Sequence, residues 1–143
     1  MRKTKHTLAF TVALVPLALW ANPAASMMGF DGPPPCESKA CFIEAVSACK
    51  AGASYMTGMG AGASVQYMID GATEDEGCQL GMVYTQHPES EWTYKPLQFR
   101  LDSDGDIETQ LKDAVEACLS GQAESGYQCS GPLLEILSPD GET

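Results

Sequence analysis

The sequence predicts an α+β fold of two layers, in which two helices cover one face of a three- to four-stranded antiparallel meander and disulfide bonds staple the domain. Two observations predict the layers. Segments 38–50 and 107–121 repeat apolar residues with the period of a helix, and the stretch between them alternates with the period of a strand. The order of helix, strands and helix is typical of a sheet that is covered on one face only. The six cysteines predict the disulfide bonds.

The first 26 residues have the pattern of a secretory signal peptide. Basic residues in MRKTKHT precede an apolar run at 8–20, which is too short to span a bilayer comfortably. The small residues that follow suit cleavage before Met27, with a cut after Ala21 as the alternative. We therefore expect an exported protein, located in a periplasm or outside the cell.

All six cysteines follow the predicted cleavage site, and an oxidising compartment favours disulfide bonds between them. Six cysteines allow fifteen pairings, and their spacing selects none of these. No pair has the CxxC spacing of a redox motif, and the spacings do not fit a zinc site. We expect structural bridges that involve Cys36, Cys41, Cys49, Cys78, Cys118 and Cys129.

The charge of the chain limits its partners. Three of the eight basic residues lie in the predicted signal, so five remain against nineteen acidic residues, a net charge of −14 after cleavage. Phosphate backbones and anionic lipid surfaces repel such a protein, which excludes nucleic acid as a partner. No later apolar run is long enough to insert into a membrane. A basic protein partner or a divalent cation remains compatible with the charge, and so does a simple role in solubility.

The elements follow in order along the chain. A lead-in at 27–36, rich in glycine and proline, is expected to be extended, and a single α+β domain is expected at 37–143. Ser38 suits the start of the first helix, and the second helix starts at Ile107 and ends at Gly121. The segment CSGPLLEIL near the end fits a short helix or a strand equally well.

Each predicted strand has one apolar and one polar face. The expected inward residues are Val65, Tyr67, Ile69, Cys78, Leu80, Met82, Tyr84, Leu97, Phe99 and Leu101. The expected outward residues are Ser64, Gln66, Met68, Gln79, Val83, Thr85, Gln98 and Arg100. The outward face is therefore expected to be available to a partner.

The stretch LDSDGDIETQLKD carries acids at Asp102, Asp104 and Asp106. An EF-hand calcium loop needs glycine at its sixth position and glutamate at its twelfth, where this sequence has Ile107 and Asp113. Asp106 also suits the cap of the second helix. The sequence favours a cap and a turn, with a calcium site formed by the three aspartates as the alternative. No other cofactor is predicted.

The loop at 85–96 contains Trp92, Tyr94 and His87, the one histidine after the predicted signal. If the last strand begins near Trp92, strand alternation places the rings of Trp92 and Tyr94 on the same outward face as Arg100. If Pro96 introduces a bulge, one ring turns inward, and the sequence leaves both arrangements open. Large aromatic residues beside open polar surface are typical of binding hot spots.

These observations lead to three hypotheses. The first is a non-enzymatic binding module that contacts a protein or an envelope component, as an inhibitor or immunity protein does, through Trp92, Tyr94, His87 and Arg100. The second is a calcium-responsive structural domain that uses the three aspartates. The third is a small hydrolase that uses His87, although no nucleophile is linked to it by a recognisable spacing. The sequence selects neither a particular partner nor an oligomeric state.

Overall fold

The computed structural model describes residues 32–122 and 126–138, and it confirms the predicted α+β fold. All of these residues belong to one unit, Asp31–Thr143. The predicted signal peptide at 1–26 and the first part of the predicted lead-in, 27–31, lie outside the described residues.

The order of elements is α1 (Lys39–Ser47), β1 (Ser54–Gly60), β2 (Ala63–Ala72), β3 (Gly77–Gln86), β4 (Leu97–Asp102), α2 (Ile107–Leu119) and α3 (Pro132–Leu137). A short 3₁₀ turn, Ser90–Trp92, lies between β3 and β4. The strands form one sheet in the order β1-β2-β3-β4, and each neighbouring pair is antiparallel. The meander is therefore four-stranded, and the segment CSGPLLEIL contributes a helix.

The pairing register places the apolar residues of β2, β3 and β4 on one face. Tyr67 lies opposite Met82, and Leu80 lies opposite both Ile69 and Phe99, one on each neighbouring strand. All ten residues that alternation assigns to the inward face are buried. They form one core cluster with the helices, because each helix turns an apolar stripe toward the sheet.

Local capping explains where the helices begin. The hydroxyl of Ser38 accepts a hydrogen bond from the backbone N–H of Cys41 at 3.2 Å, and α1 then buries Phe42 and Val46. The carboxylate of Asp106 caps α2 in the same way. Since backbone N–H groups at a helix start lack partners within the helix, these two side chains fix both starts.

Three disulfide bonds use all six cysteines. Cys36–Cys41 joins the lead-in to α1, and Cys49–Cys78 joins the end of the α1 segment to β3. Cys118–Cys129 joins α2 to the segment that precedes α3. The bonds therefore connect each main helix to a neighbouring part of the fold.

The two edges of the sheet differ. The edge of β4 is covered by residues 127–133, because the backbone of Gln98 exchanges two hydrogen bonds with Ser130 and the N–H of Arg100 donates to the carbonyl of Tyr127. Gly131 makes the close approach possible. It has a φ of +115°, and a Cβ there would lie 2.6 Å from the carbonyl oxygen of Pro96. At the other edge, β1 has one bridge, between Tyr55 and Cys36, to the described residues outside β2.

Helices long and apolar enough to cross a membrane do not occur in the described part of the chain.

Candidate functional site

One face of the sheet, which we call the outer face, is left bare by the described helices. It carries Met68 and Gln66 of β2, Val83 of β3 and Gln98 of β4, together with Met56 of β1. Met56 lies opposite Gln66, so its side chain is a diagonal neighbour of Met68. The two methionine residues are 59% and 44% exposed. The outer face therefore presents an apolar pair within a polar surround.

A shallow depression lies at the centre of the outer face. Gly81 forms its floor, where the lack of a side chain leaves a cavity of about 130 Å³. Its walls include Met68, Val83, Pro96 and Gln98. The amide of Gln98 donates a hydrogen bond to Asp70 across the depression at 3.4 Å. This surface has both apolar contact area and groups that form hydrogen bonds.

The loop at 85–96, which we call the aromatic loop, places Trp92 and Tyr94 in different surroundings. Strand β4 begins at Leu97, so Trp92 lies in the 3₁₀ turn before the strand and packs against the core cluster. Its ring stacks on His87 with centroids 4.5 Å apart, and both rings contact Tyr84. Tyr94 is 72% exposed, and its N–H donates to the carbonyl of Tyr84 at the end of β3. Tyr94 is thus the exposed ring of this loop.

His87 is held in place by its own loop. Its Nδ1 accepts a hydrogen bond from the N–H of Glu89 at 3.0 Å, and its ring is half-buried against Trp92. Within 32–122 and 126–138, neither a hydroxyl nor a thiol forms a hydrogen bond with this ring, and every cysteine is in a disulfide bond. The contacts of His87 are those of a packed residue.

Arg100 lies flat on the outer face. Its guanidinium forms ion pairs with Asp75 at 3.4 Å and Asp102 at 3.1 Å, and donates to the carbonyl of Asp75. A Cβ at Gly77 would lie 2.0 Å from Nε of Arg100, so the glycine makes room for this side chain. Arg100 therefore ties the β2–β3 turn to β4, and only 14% of its side chain is exposed.

Asp102, Asp104 and Asp106 make different contacts in the structure. Asp106 accepts hydrogen bonds from the N–H groups of Thr109 and Glu108 at 3.2 and 3.1 Å. These bonds, with those of Thr109 first, lower the pKa of Asp106. Asp102 pairs with Arg100, and the backbone carbonyl of Asp104 accepts from Gln110. In the described part of the chain, groups of three or more His, Cys, Asp or Glu arranged to hold a metal ion do not occur.

The exposed methionine residue at Met56 was not among the residues that sequence reasoning assigned to a face. The alternation of Ser54, Met56 and Gly58 carries the necessary signal, but glycine at every second position along β1 and its turn hides it. The ion pairs of Arg100 depend on the β2–β3 turn, whose path does not follow from strand alternation.

Comparison of the chain with protein-family models, with curated proteins and with solved structures finds no match.

Proposed function

We propose that this protein is an exported, non-enzymatic binding module that captures a basic protein through the outer face and Tyr94. The observation that carries the proposal is the bare face of the sheet, on which Met56 and Met68 are exposed as diagonal neighbours on adjacent strands. A layer of helices covers the opposite face, so the outer face is presented on a rigid support.

The residue types of the outer face suit contact with another protein. Methionine side chains adapt their shape to a partner, and glutamine side chains add hydrogen bonds. Tyrosine supplies a large ring that loses little conformational entropy on binding. Among the four residues that the sequence suggested, Tyr94 is the accessible one, whereas Trp92 and His87 pack together and Arg100 is held by two carboxylates.

The charge of the chain supports a basic partner. The net charge is −11 for the whole chain, and −14 after the predicted cleavage. Such a field accelerates the approach of a cationic protein and disfavours anionic ones. An acidic inhibitor or immunity-type protein that covers a basic target has this character.

The three disulfide bonds support the proposed location. Disulfide bonds form and persist in the periplasm or outside the cell, and they stabilise small domains there. The proposed partner is accordingly a component of the envelope or of the surrounding medium.

Affinity capture with the oxidised protein, using extract of the native envelope as the source of partners, tests the proposal. We expect Met68→Lys to reduce capture about tenfold or more, because it places a cation at the centre of the contact with a basic partner. Tyr94→Ala is expected to act in the same direction. Trp92 is left unchanged, since its removal would disturb the core cluster.

Ser120→Lys is the matched control. It adds the same charge at an exposed position after α2, on the helical side of the sheet. Capture that survives Ser120→Lys and is lost in Met68→Lys supports the outer face as the contact. Equal capture by the unaltered protein, by Met68→Lys and by Ser120→Lys, with unchanged melting temperatures, would rule the outer face out.

A further inference from the structure

We propose that the free edge of β1 and the groove beside it bind an extended, lysine-containing segment of a partner protein, which adds to the sheet as a fifth strand. This site uses the edge backbone of β1 and the groove on the helical side of the sheet, whereas the contact proposed above uses side chains on the outer face. The proposal therefore goes beyond the function proposed above and does not depend on it.

The backbone of β1 shows which groups face the free edge. The carbonyl of Ala53, just before β1, accepts from the N–H of Ile69 in β2 at 2.9 Å. The carbonyl of Ser54 accepts from the N–H of Cys36 on the opposite side at 2.7 Å. Because backbone groups alternate in direction along a strand, those of Met56 and Gly58 point away from β2 with those of Ser54. The parallel bridge of Cys36 with Tyr55 also engages the N–H of Met56, so the groups that the described residues leave free begin at the carbonyl of Met56.

The edge lacks the usual protection against pairing. Natural edge strands are blunted by charged residues, proline or a covering segment. The sequence of β1, SYMTGMG, contains neither charge nor proline, whereas β4 is covered by residues 127–133. Within the described fold, β1 is thus the edge that remains able to accept a strand.

A groove of about 500 Å³ runs along this edge on the helical side of the sheet. It exists because Phe42 of α1 covers Tyr55 at the start of β1, while α2 packs mainly on β4 and leaves the end of β1 uncovered. Thr57 and Met59 form one wall, and Leu119 on α2 is part of the other. A strand added to β1 would place alternate side chains in this groove.

The chemistry of the edge selects an extended segment. A helix satisfies its own backbone and cannot pair with Met56 and Gly58, whereas an extended chain can. The free stretch at 56–59 is about 14 Å long at 3.4 Å per residue, so it accommodates about four residues of a partner. About two of their side chains would face the groove.

Charge selects a cationic segment over a second copy of this chain. Two copies would each bring a net charge of −11 or more to the contact and repel each other. Lysine residues at the positions of the segment that face water are attracted by the same field. The groove itself is balanced in charge, with Glu108 and Glu116 beside Lys39 and Lys112, so it suits the apolar side chains of the segment.

The probe is a fluorescein-labelled heptapeptide of alternating lysine and valine, titrated into the oxidised protein and followed by anisotropy. In an extended conformation it presents valine to one side and lysine to the other. The control peptide has the same sequence with every backbone nitrogen methylated, so it cannot donate to the edge in either orientation. We expect the control to bind about tenfold more weakly or worse. Equal binding of the two peptides would overturn strand addition.

The protein offers a matched pair of variants at Gly58. Gly58→Ala keeps the N–H group, and the added Cβ meets nothing closer than 4.0 Å. Gly58→Pro removes the N–H from the free edge, where proline is tolerated because β1–β2 pairing does not use that group. We expect Gly58→Ala to bind the probe as the unaltered protein does, and Gly58→Pro to bind about tenfold more weakly.

Met59→Lys gives a second variant that leaves the backbone intact. Met59 is 48% exposed and lines the groove, so lysine there removes apolar contact with the valine side chains of the probe without disturbing the core. Unaltered probe binding by a folded Met59→Lys protein would overturn the proposal. So would a dimer of the unaltered protein in sedimentation that the lysine–valine peptide does not dissociate, since a second copy would then occupy the edge. Met68→Lys is expected to leave probe binding unchanged, which separates this site from the outer face.

Discussion

Arg100 illustrates how the surroundings of one residue decide its role. Alternation along β4 correctly places it on the outward side, where an arginine is a natural candidate for partner contact. The structure adds Asp75, Asp102 and the empty space at Gly77, which hold the guanidinium flat against the sheet. A side chain already paired twice gains little from a new partner, so Arg100 is better described as a brace for the β2–β3 turn.

Tyr67 gives a prediction about pH. Burial raises the pKa of Tyr67 to about 12, with smaller contributions from Tyr84 and Tyr55, whereas an unfolded tyrosine has a pKa of about 10. The folded pKa lies above the unfolded one, so the stabilisation is complete below pH 10 and is lost as the pH rises to 12. We expect the free energy of unfolding to fall by about 2–3 kcal/mol across this range through Tyr67.

Denaturant unfolding at several pH values between 9 and about 12 measures this loss. The matched variant is Tyr67→Phe, which keeps the ring in the core and removes the ionisable group. It should lose less stability than the unaltered protein over the same range. Since burial also raises the pKa of Tyr84, some loss will remain in the variant. Identical pH profiles for the two proteins would show that Tyr67 is not the source.

At the scale of elements, the disulfide bonds differ in the length of chain they close. Cys49–Cys78 spans 29 residues, and Cys36–Cys41 spans 5. Because a longer closed loop restricts the unfolded chain more, loop entropy predicts stabilisation by about 3.6 and about 2.2 kcal/mol, respectively. Replacing both Cys49 and Cys78 by alanine should therefore destabilise the protein by about 1.4 kcal/mol more than replacing Cys36 and Cys41.

Urea unfolding of the two double variants measures the difference. Cys78 is also buried, whereas Cys36 is half-buried, so the lost packing at Cys78 acts in the same direction as the loop entropy. A larger loss of stability in the variant without Cys36 and Cys41 than in the variant without Cys49 and Cys78 would contradict this prediction.

The elements themselves could largely be predicted from the sequence. Period and capping residues identified α1, α2 and the last three strands, because Ser38 and Asp106 cap through local geometry that depends on few neighbours. The disulfide pairing could not be predicted, since it depends on which cysteines the sheet and helices bring together. The tail was undecided between helix and strand because its six-residue helix α3 is too short for period to distinguish.

For the whole molecule, the three disulfide bonds together are comparable in size with the stability of a small domain. Loop entropy gives about 8–9 kcal/mol for the three, and domains of this size are typically stable by about 5–15 kcal/mol. We expect the fully reduced protein to lose most of its fold at 37 °C.

Far-UV circular dichroism during melting, with and without a phosphine reductant, measures this effect. The double variant that lacks Cys36 and Cys41 provides an intermediate case, because two bonds remain. A reduced protein that melts as a single cooperative transition at the temperature of the oxidised one would show that the apolar core suffices.

The candidate surfaces could be predicted only in part. Alternation along β2, β3 and β4 predicted the bare outer face, because the period of a strand fixes which side chains share a face. The position of Tyr94 depends on the 3₁₀ turn at Ser90–Trp92, and the groove depends on how far α2 extends over β1. Both are consequences of packing between distant segments, and neither has a local signal in the sequence.

The unequal edges of the sheet limit what size of assembly strand addition can build. Residues 127–133 occupy the edge of β4, so within the described fold only the edge of β1 can pair with a further strand. Growth by that route ends after a single step, as a complex with one foreign strand. The segment around Gly131 therefore blocks strand pairing at β4. Because a fibre needs two pairing edges on each chain, this block keeps an unprotected strand such as β1 from seeding fibres.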